Sequence, residues 1–377
     1  MKGNEQYWFL LRMKVSIITP VFNARQFLEE TFSSVYQQSI GFDNIEWILV
    51  DDCSTDGSKE IINQWAKKYK NIVTYQTPTN SGAPAFPRNI GLDHASSKYL
   101  MFLDNDDCLT PGACEDLYTA IESSNSDIVS GDAVLLNAKS FTKEEKEKLI
   151  LNTSNYPTTT ISLSLPFNES INPFINNHWC KIYKRDIVEK NSIRCLNGEL
   201  WEDILFLFLY LSCAETAHHI QKPIIQYRVR KDSLSREISK KLLCSLPKST
   251  DFGMTKAEAL GKENAQKYVA LLEASNHIEY YLDQMLRSES LSTEDLNECL
   301  LCWKNAFMYS TLYGLSFHSA YSKILADDFS NGDDEKALFH FHTLRELYKQ
   351  REKEKNDILN SKSFRLAQMI SQFLHHK

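Results

Sequence analysis

The chain has 377 residues, 42% of them hydrophobic, 24% charged and 11% aromatic, and a formal net charge of −7. That length accommodates two domains, or one large domain with an appendage. The acidic balance argues against a general nucleic-acid binder, which carries a basic footprint. The longest apolar run, Ile204 to Cys213, falls well short of the roughly 20 residues that cross a bilayer.

The nine cysteines are odd in number and scattered, which fits reduced thiols in a cytoplasmic compartment better than a disulfide framework. Cys299 and Cys302 are the one close pair, and without a second pair they read as helix-core thiols rather than a zinc site. At the start, Tyr7 to Leu11 is too short an apolar run for a signal-peptide core. Residues 1–13 read as an N-terminal extension.

From Lys14 the pattern alternates. Lys14 to Pro20 reads as a buried strand, and Arg25 to Gln38 has helical spacing through Phe27, Leu28, Phe32 and Val35. Ile45 to Val50 is a second strand, with Ser54 or Thr55 placed to cap a helix over Ser58 to Tyr69. Ile72 to Tyr75 is a third strand, followed by a Pro- and Gly-rich loop and a short helix from Arg88 to Ala95. Tyr99 to Leu103 is a fourth strand, Pro111 to Ser123 a helix, and Asp127 to Gly131 another strand. Strands alternating with helices predict an α/β domain with a mainly parallel sheet.

Polar clusters follow three of these strands: Thr19 to Asn23, Asp51-Asp52, and Asp104 to Asp107. Parallel strands point the same way, so their carboxyl ends converge on one rim, where ligands of open α/β sheets bind. Carboxylates crowded there suit a divalent cation held together with substrate phosphates. The competing reading is a solvated acidic turn in which Asp104 or Asp107 caps the helix after Pro111. Neither a Gly-x-Gly-x-x-Gly nor a P-loop pattern is present, so metal and side chains would have to hold any diphosphate.

Val15-Ser-Ile-Ile-Thr-Pro-Val-Phe-Asn23, Ile48-Leu-Val-Asp-Asp-Cys-Ser-Thr-Asp-Gly57, Asn80 to Arg88-Asn89 and Phe102-Leu-Asp-Asn-Asp-Asp107 together resemble the family 2 glycosyltransferases of GT-A fold. The likeness covers roughly residues 14–236. Ser81 to Asn89 most resembles the enzymes that decorate wall teichoic acid, capsular and other bacterial surface polysaccharides. Cys53 stands where the family usually has Gly.

The resemblance implies an α/β GT-A nucleotide-binding sheet with flanking helices, and a metal-dependent inverting transfer from a nucleotide sugar, usually a UDP-sugar, to a glycan or lipid-linked polymer acceptor. Pro20 and Phe22 would wall the nucleotide pocket and Asp52 would accept hydrogen bonds from the base. Asn80 and Arg88 would reach the base or phosphates, although Arg88 could also pair with an acidic neighbour on its own helix. Asp104 would sit near the ribose and share Mg2+ or Mn2+ with Asp106, the principal ligand, leaving Asp107 a structural or capping residue. In Glu202-Asp203, which opens an apolar helix, Asp203 would be the base and Glu202 an acceptor contact or support. The competing reading of this pair is simple stabilisation of a helix N-terminus. Trp179 would stack on a sugar or pack in the core, and His178, with no second ligand at metal spacing, reads as a packed or surface histidine. A segment that includes Arg228, Arg230, Ser233 and Ser235 would close over the donor diphosphate, with these four as the candidate contacts; the competing reading is a solvated basic strand edge.

Beyond Glu237, Gly and Pro thin out and helical spacing takes over, notably in Leu271 to Met285 and Asn297 to Tyr313. The expected organisation is a GT-A domain over 14–240, a mainly helical C-terminal domain over 241–337, and a charged, amphipathic helical tail over 338–377. From residue 341 onward Lys and Arg outnumber Asp and Glu eight to four, and Leu366, Met369, Ile370 and Phe373 share one helical face. Such a tail suits packing, oligomerisation or peripheral contact with the inner face of the cell membrane. Two other functions compete: a sugar nucleotidyltransferase, which would show a Gly-rich first loop with an Arg, and a non-catalytic nucleotide-binding assembly partner.

Overall fold

Seven consecutive buried residues make β1 (Val15–Val21), and seven more make β2 (Ile45–Asp51). Strands buried on both faces are the mark of a sheet covered by helices on each side. The computed structural model describes residues 13–136, 157–163, 174, 178–230, 238–261, 278–312, 317 and 319–360.

β1 is the hub. It runs parallel to β2 on one side and to β4 (Tyr99–Phe102) on the other, and β2 runs parallel to β3 (Ile72–Gln76). α1 (Leu28–Tyr36), α2 (Ser58–Lys68) and α3 (Ala85–His94) fill the connections. The sheet then changes character. β8 (Lys181–Lys184) lies antiparallel between β4 and β6 (Ile128–Leu135). Next comes the long β9 (Thr216–Tyr227), parallel to β6 and antiparallel to β5 (Cys108–Leu109) and β7 (Thr159–Ser162). The sheet is therefore mixed, not mainly parallel, because the reversed β8 separates the two parallel groups. Buried Ser16 and Glu46 and half-buried Ser96 form a hydrogen-bonded knot where β1, β2 and the turn into β4 meet.

Local boundaries differ from expectation where side chains compete for backbone groups. Neither Ser54 nor Thr55 caps α2. Its N-cap is Gly57 at φ +95°, and Asp56 accepts hydrogen bonds from the Ser58 amide and hydroxyl instead. Neither Asp104 nor Asp107 caps α4 (Ala113–Ser124), which begins after Gly112 without a side-chain cap. α3 packs so closely on β1 that a Cβ on Gly91 would stand 2.3 Å from Cγ2 of Ile18.

Two compact units divide the chain: Met1–Glu237 with Lys248–Val269, and Ile238–Pro247 with Ala270–Lys377. The first holds the sheet, with α5 (Arg185–Lys190) and α6 (Glu202–Cys213) after β8. α7 (Lys240–Ala259) follows, with Pro247 inside it. The second unit is helical, with α8 (Ile278–Arg287), α9 (Thr293–Cys302), α10 (Lys304–Leu312), α11 (Ala320–Ser330) and α12 (Asp334–Asn360). The single helix expected over Asn297 to Tyr313 is two, broken at Trp303, whose indole donates to the Leu243 carbonyl at 2.8 Å. Cys299 is buried as expected of a core thiol, with its sulfur 3.7 Å from that of Cys244. The apolar face formed by Leu366, Met369, Ile370 and Phe373 lies outside the described residues.

Candidate active site

The carboxyl ends of β1, β2 and β4 converge. The Asp52 amide donates to Val21 O at 2.8 Å, Leu103 N to Ile18 O at 3.1 Å, and Asn105 Nδ2 to Pro20 O at 2.9 Å. Buried Thr31, on α1, donates to the carbonyls of both Asn105 and Asp107 and so fixes the acidic turn. Within that turn Asp107 is buried and accepts the Arg228 amide at 2.7 Å, which makes it a structural residue and not a helix cap. Burial and the charges of Asp104 and Asp106 push its carboxyl well above the usual range. Asp106 is raised as well, by burial and by Asp104, against the pull of Arg230.

Arg88 is the centre of the polar network. Its side chain is 4% exposed; Nη2 donates to Oδ1 of Asp104 at 2.7 Å and Nη1 to Oε1 of Glu202. Its partners thus come from β4 and α6, not from its own helix. Burial would lower the guanidinium's pKa, but the carboxylates of Asp104 and Glu202 reverse that and keep it charged. Asn89, its neighbour on α3, exchanges hydrogen bonds with Cys195 and donates to Oδ1 of Asn197 at 2.8 Å. The loop leading into α6 is held in this way. Trp201, the residue before α6, sits at φ +71°, an outlier for a bulky side chain that persists only where surroundings enforce it.

Glu202 and Asp203 open α6 with different exposures. Glu202 is 6% exposed, and burial pushes it up to about 7, opposed by Arg88 and assisted by the charge on Asp203. Asp203 remains 26% exposed. Burial raises it, but His178, Arg88 and the helix-start backbone N–H of Ile204 outweigh that and hold it down at about 2.

Other expected site residues are placed less uniformly. Pro20 is buried within β1, whereas Phe22 is 47% exposed just beyond it. Asp52 is buried, with its carboxylate taken up by Thr77 Oγ1 at 2.7 Å and by the amide and hydroxyl of Ser81. Asn80 is exposed and donates to the Asp52 carbonyl at 3.0 Å. Trp179 is buried and lies flat on Tyr227, with ring centroids 5.4 Å apart at 9°. Arg228 reaches the Asp106 carbonyl at 2.7 Å and the Glu30 carboxylate, while Arg230 pairs with Oδ2 of Asp106 at 2.9 Å. Both guanidinium groups lie over the Phe27 ring, at 5.1 and 4.9 Å. Ser233 and Ser235 lie outside the described residues.

Residues 16–191 match the family model described as Glycosyl transferase family 2. Residues 16–191 form a family 2 glycosyltransferase domain. Its relatives include the poly(ribitol-phosphate) beta-glucosyltransferase of Bacillus spizizenii, 37% identical over 131 residues, or 35% of this chain and 21% of that protein. The poly(ribitol-phosphate) beta-N-acetylglucosaminyltransferase TarP of Staphylococcus aureus is 34% identical over 201 residues, 52% of this chain and 57% of that one. The chain thus spans from about a fifth to a little over half of these relatives. Residues 1–349 of S. aureus TarS, solved with UDP-GlcNAc, superpose with a TM-score of 0.71 over 90% of this chain and 92% of that one. At 20% identity this likeness establishes the fold: a GT-A sheet followed by a mostly helical C-terminal region.

In the glycosyltransferase domain, four residues stand out that the sequence reading did not assign to the site. Asn89 holds the approach to α6; its place directly after Arg88 in the motif was the available signal. Phe27, just before α1, and Glu30, in its first turn, hold the arginines after β9, and nothing in the sequence pairs positions some 200 residues apart. His178 is buried, as a packed histidine should be, but it is packed against Asp203 at 3.5 Å.

Among the described residues no group of three or more His, Cys, Asp or Glu side chains is placed to hold a metal ion. Asp104 and Asp106 nevertheless fit a hard divalent cation. They are partly exposed neighbours, and each raises the cost of ionising a carboxylate in this turn. Mg2+ and Mn2+ commonly take one or two carboxylates and complete their shell with substrate phosphates and water.

Proposed function

We propose that the chain is an inverting glycosyltransferase that moves a sugar from a uridine-diphosphate donor to a hydroxyl of a poly(ribitol-phosphate)-like surface polymer. The observation that carries this is the reach of Arg88, whose two Nη atoms tie Asp104, at the end of β4, to Glu202, the first residue of α6. That bridge brings the helix start bearing Asp203 to the rim on which the parallel strands end. The family match supports the reaction class, and the names of the two teichoic-acid relatives support the acceptor class. The UDP-GlcNAc complex of TarS supports a UDP-sugar donor.

Asp203 is the base. Its carboxylate is partly exposed while its neighbour Glu202 is buried and tied to Arg88, so Asp203 is the one an incoming hydroxyl can reach. It takes the proton of the acceptor hydroxyl as that oxygen bonds to the anomeric carbon. The bond from that carbon to the diphosphate oxygen breaks, and its electron pair leaves with UDP. A positioned general base contributes about 10²–10⁴ in rate. Glu202 and Arg88 set the height and angle of the α6 start. Asp104 and Asp106 would hold Mg2+ or Mn2+, which when bound stabilises negative charge on the departing diphosphate. Arg228 and Arg230, gathered on Phe27, supply positive charge at the same place.

On the nucleotide side, exposed Phe22 offers a ring face to the base beside buried Pro20. Asp52 fixes the Thr77 to Ser81 loop so that Asn80 projects from it, and a contact from Asp52 to the base would share oxygens with Ser81. Trp179 supports the end of β9 that carries Arg228 by stacking on Tyr227. With a nucleotide-sugar donor, the proposed site of the reaction is the cytoplasm. Among the described residues no helix is long and apolar enough to cross a membrane.

The test is a panel of nucleotide sugars with and without Mn2+, scored by thermal protection and by UDP release in the presence of poly(ribitol phosphate). Protection scales with ligand concentration over its dissociation constant. Transfer that persists undiminished in Asp203→Asn would refute the base assignment. Pyrophosphate release from a nucleoside triphosphate and a sugar phosphate would instead identify a nucleotidyltransferase.

A further inference from the structure

His178 is 1% exposed, and neither ring nitrogen makes a hydrogen bond among the described residues. Placing an imidazole in a dry interior without partners for its N–H and its lone pair is costly, and a phenylalanine or leucine would fill the space without that cost. The ring packs on Phe102 at a centroid distance of 4.8 Å, and the backbone is pinned by Tyr183, whose hydroxyl donates to the His178 carbonyl at 2.6 Å. That packing aims Nδ1 at Oδ2 of Asp203, 3.5 Å away. This is slightly too long for a good hydrogen bond, as contacts of catalytic groups often are before substrate tightens them.

We infer that His178 is a positioning residue for the transfer: its neutral imidazole, protonated on Nδ1, donates to Asp203 and fixes the rotamer in which the other carboxylate oxygen faces the acceptor hydroxyl. This rests on the reading of Asp203 as the base. The groups around the pair are consistent with a neutral ring. Burial lowers its proton affinity, Arg88 repels a second proton, and only Asp203 and Asp104 pull the other way. Lys181 faces Asp203 from β8, Glu202 adjoins it on α6, and Cys195 and Tyr183, both pushed up by burial, stay uncharged beside it. The geometry resembles the way a metal-bound or catalytic imidazole is oriented by a carboxylate, with the roles exchanged.

Two measurements on the full chain decide the matter. In the first, histidine-labelled protein is followed by 15N NMR from pH 5 to 8. His178 should remain neutral with its proton on Nδ1, and that resonance should move in Asp203→Asn. A charged ring, or a proton on Nε2, overturns the inference without reference to any substrate. The second measures UDP release from UDP-GlcNAc with poly(ribitol phosphate). His178→Phe keeps the ring volume and removes the donor, whereas in His178→Asn the amide nitrogen falls near the position of Nδ1. His178→Phe should lower kcat 10- to 100-fold, leave the KM for UDP-GlcNAc within threefold, and shift the acid limb of kcat to higher pH. His178→Asn should restore most of the rate. A phenylalanine variant with wild-type kcat and acid limb overturns the inference, as do two variants equally impaired with an unmoved acid limb. Failure of the base reading itself looks different: Asp203→Asn would then turn over normally.

Discussion

Nη1 of Arg230 lies 2.9 Å from Oδ2 of Asp106, so the carboxylate proposed as the principal ligand of a divalent cation already has a positive partner. The guanidinium and a cation compete for the same oxygen. Removing the arginine therefore favours the metal. For a partly exposed pair of this kind the coupling is about 0.2–1 kcal/mol, or roughly 1.4- to fivefold in affinity. Arg230→Ala should reach half of its Mn2+-induced thermal protection at a correspondingly lower concentration in the absence of nucleotide, and Asp106→Asn should show little protection at any concentration. Equal midpoints for wild type and Arg230→Ala would show that the ion pair does not compete.

Arg88 neutralises two carboxylates in a nearly dry setting. Replacing it with Met leaves Asp104 and Glu202 facing each other without their cation, and breaking a buried pair from one side costs about 3–5 kcal/mol. Denaturant unfolding of Arg88→Met should show a midpoint reduced by that order. Arg88→Lys should recover only part, because one ammonium cannot reach both acids with the geometry of a fork. A loss below about 1 kcal/mol in the Met variant would mean that solvent screens the network far more than its 4% exposure implies.

Glu202 gives the site a pH signature. Its carboxyl moves from 4.5 to about 7 on folding, so between those values the native state holds a proton that the unfolded chain has released. Stability from this group is therefore fully present below pH 4.5 and falls as pH rises through about 7. The difference in unfolding free energy between wild type and Glu202→Gln should change across that window by on the order of 1–3 kcal/mol, the wild type losing ground as pH increases. A difference that is flat with pH would place the Glu202 carboxyl in the ordinary range.

Gly91 tests the seat of α3 on the sheet. An added Cβ would lie 2.3 Å from Ile18 Cγ2, in a strand without room to move. Overpacking of this kind costs about 1–3 kcal/mol, and Gly91→Ala should lower the thermal midpoint accordingly. Because Arg88 and Asn89 ride on the same helix, UDP protection should fall with it. A stable Gly91→Ala with unchanged nucleotide protection would show that α3 shifts without cost.

What the sequence determined by itself was the alternation of strands and helices up to β6 and the polar clusters at the strand ends, while caps and helix breaks followed distant partners. Apolar runs in β1, β2 and β4 can only be covered strands, and their shared direction obliges Asn23, Asp52 and the Asp104 to Asp107 turn to meet on one rim. The motifs that follow those strands were enough to anticipate the family 2 glycosyltransferase match over residues 16–191. Tertiary structure decided what depends on distant partners. Glu202 reaches Arg88 across 114 positions and Arg228 reaches Glu30 across 198, and no local periodicity encodes such pairings. The antiparallel insertion of β8, the burial of Trp179 against Tyr227 and the turn of His178 towards Asp203 were decided in the same way. Side-chain packing and charge compensation act between elements only after the chain has collapsed, whereas the alternation of strands and helices is written residue by residue.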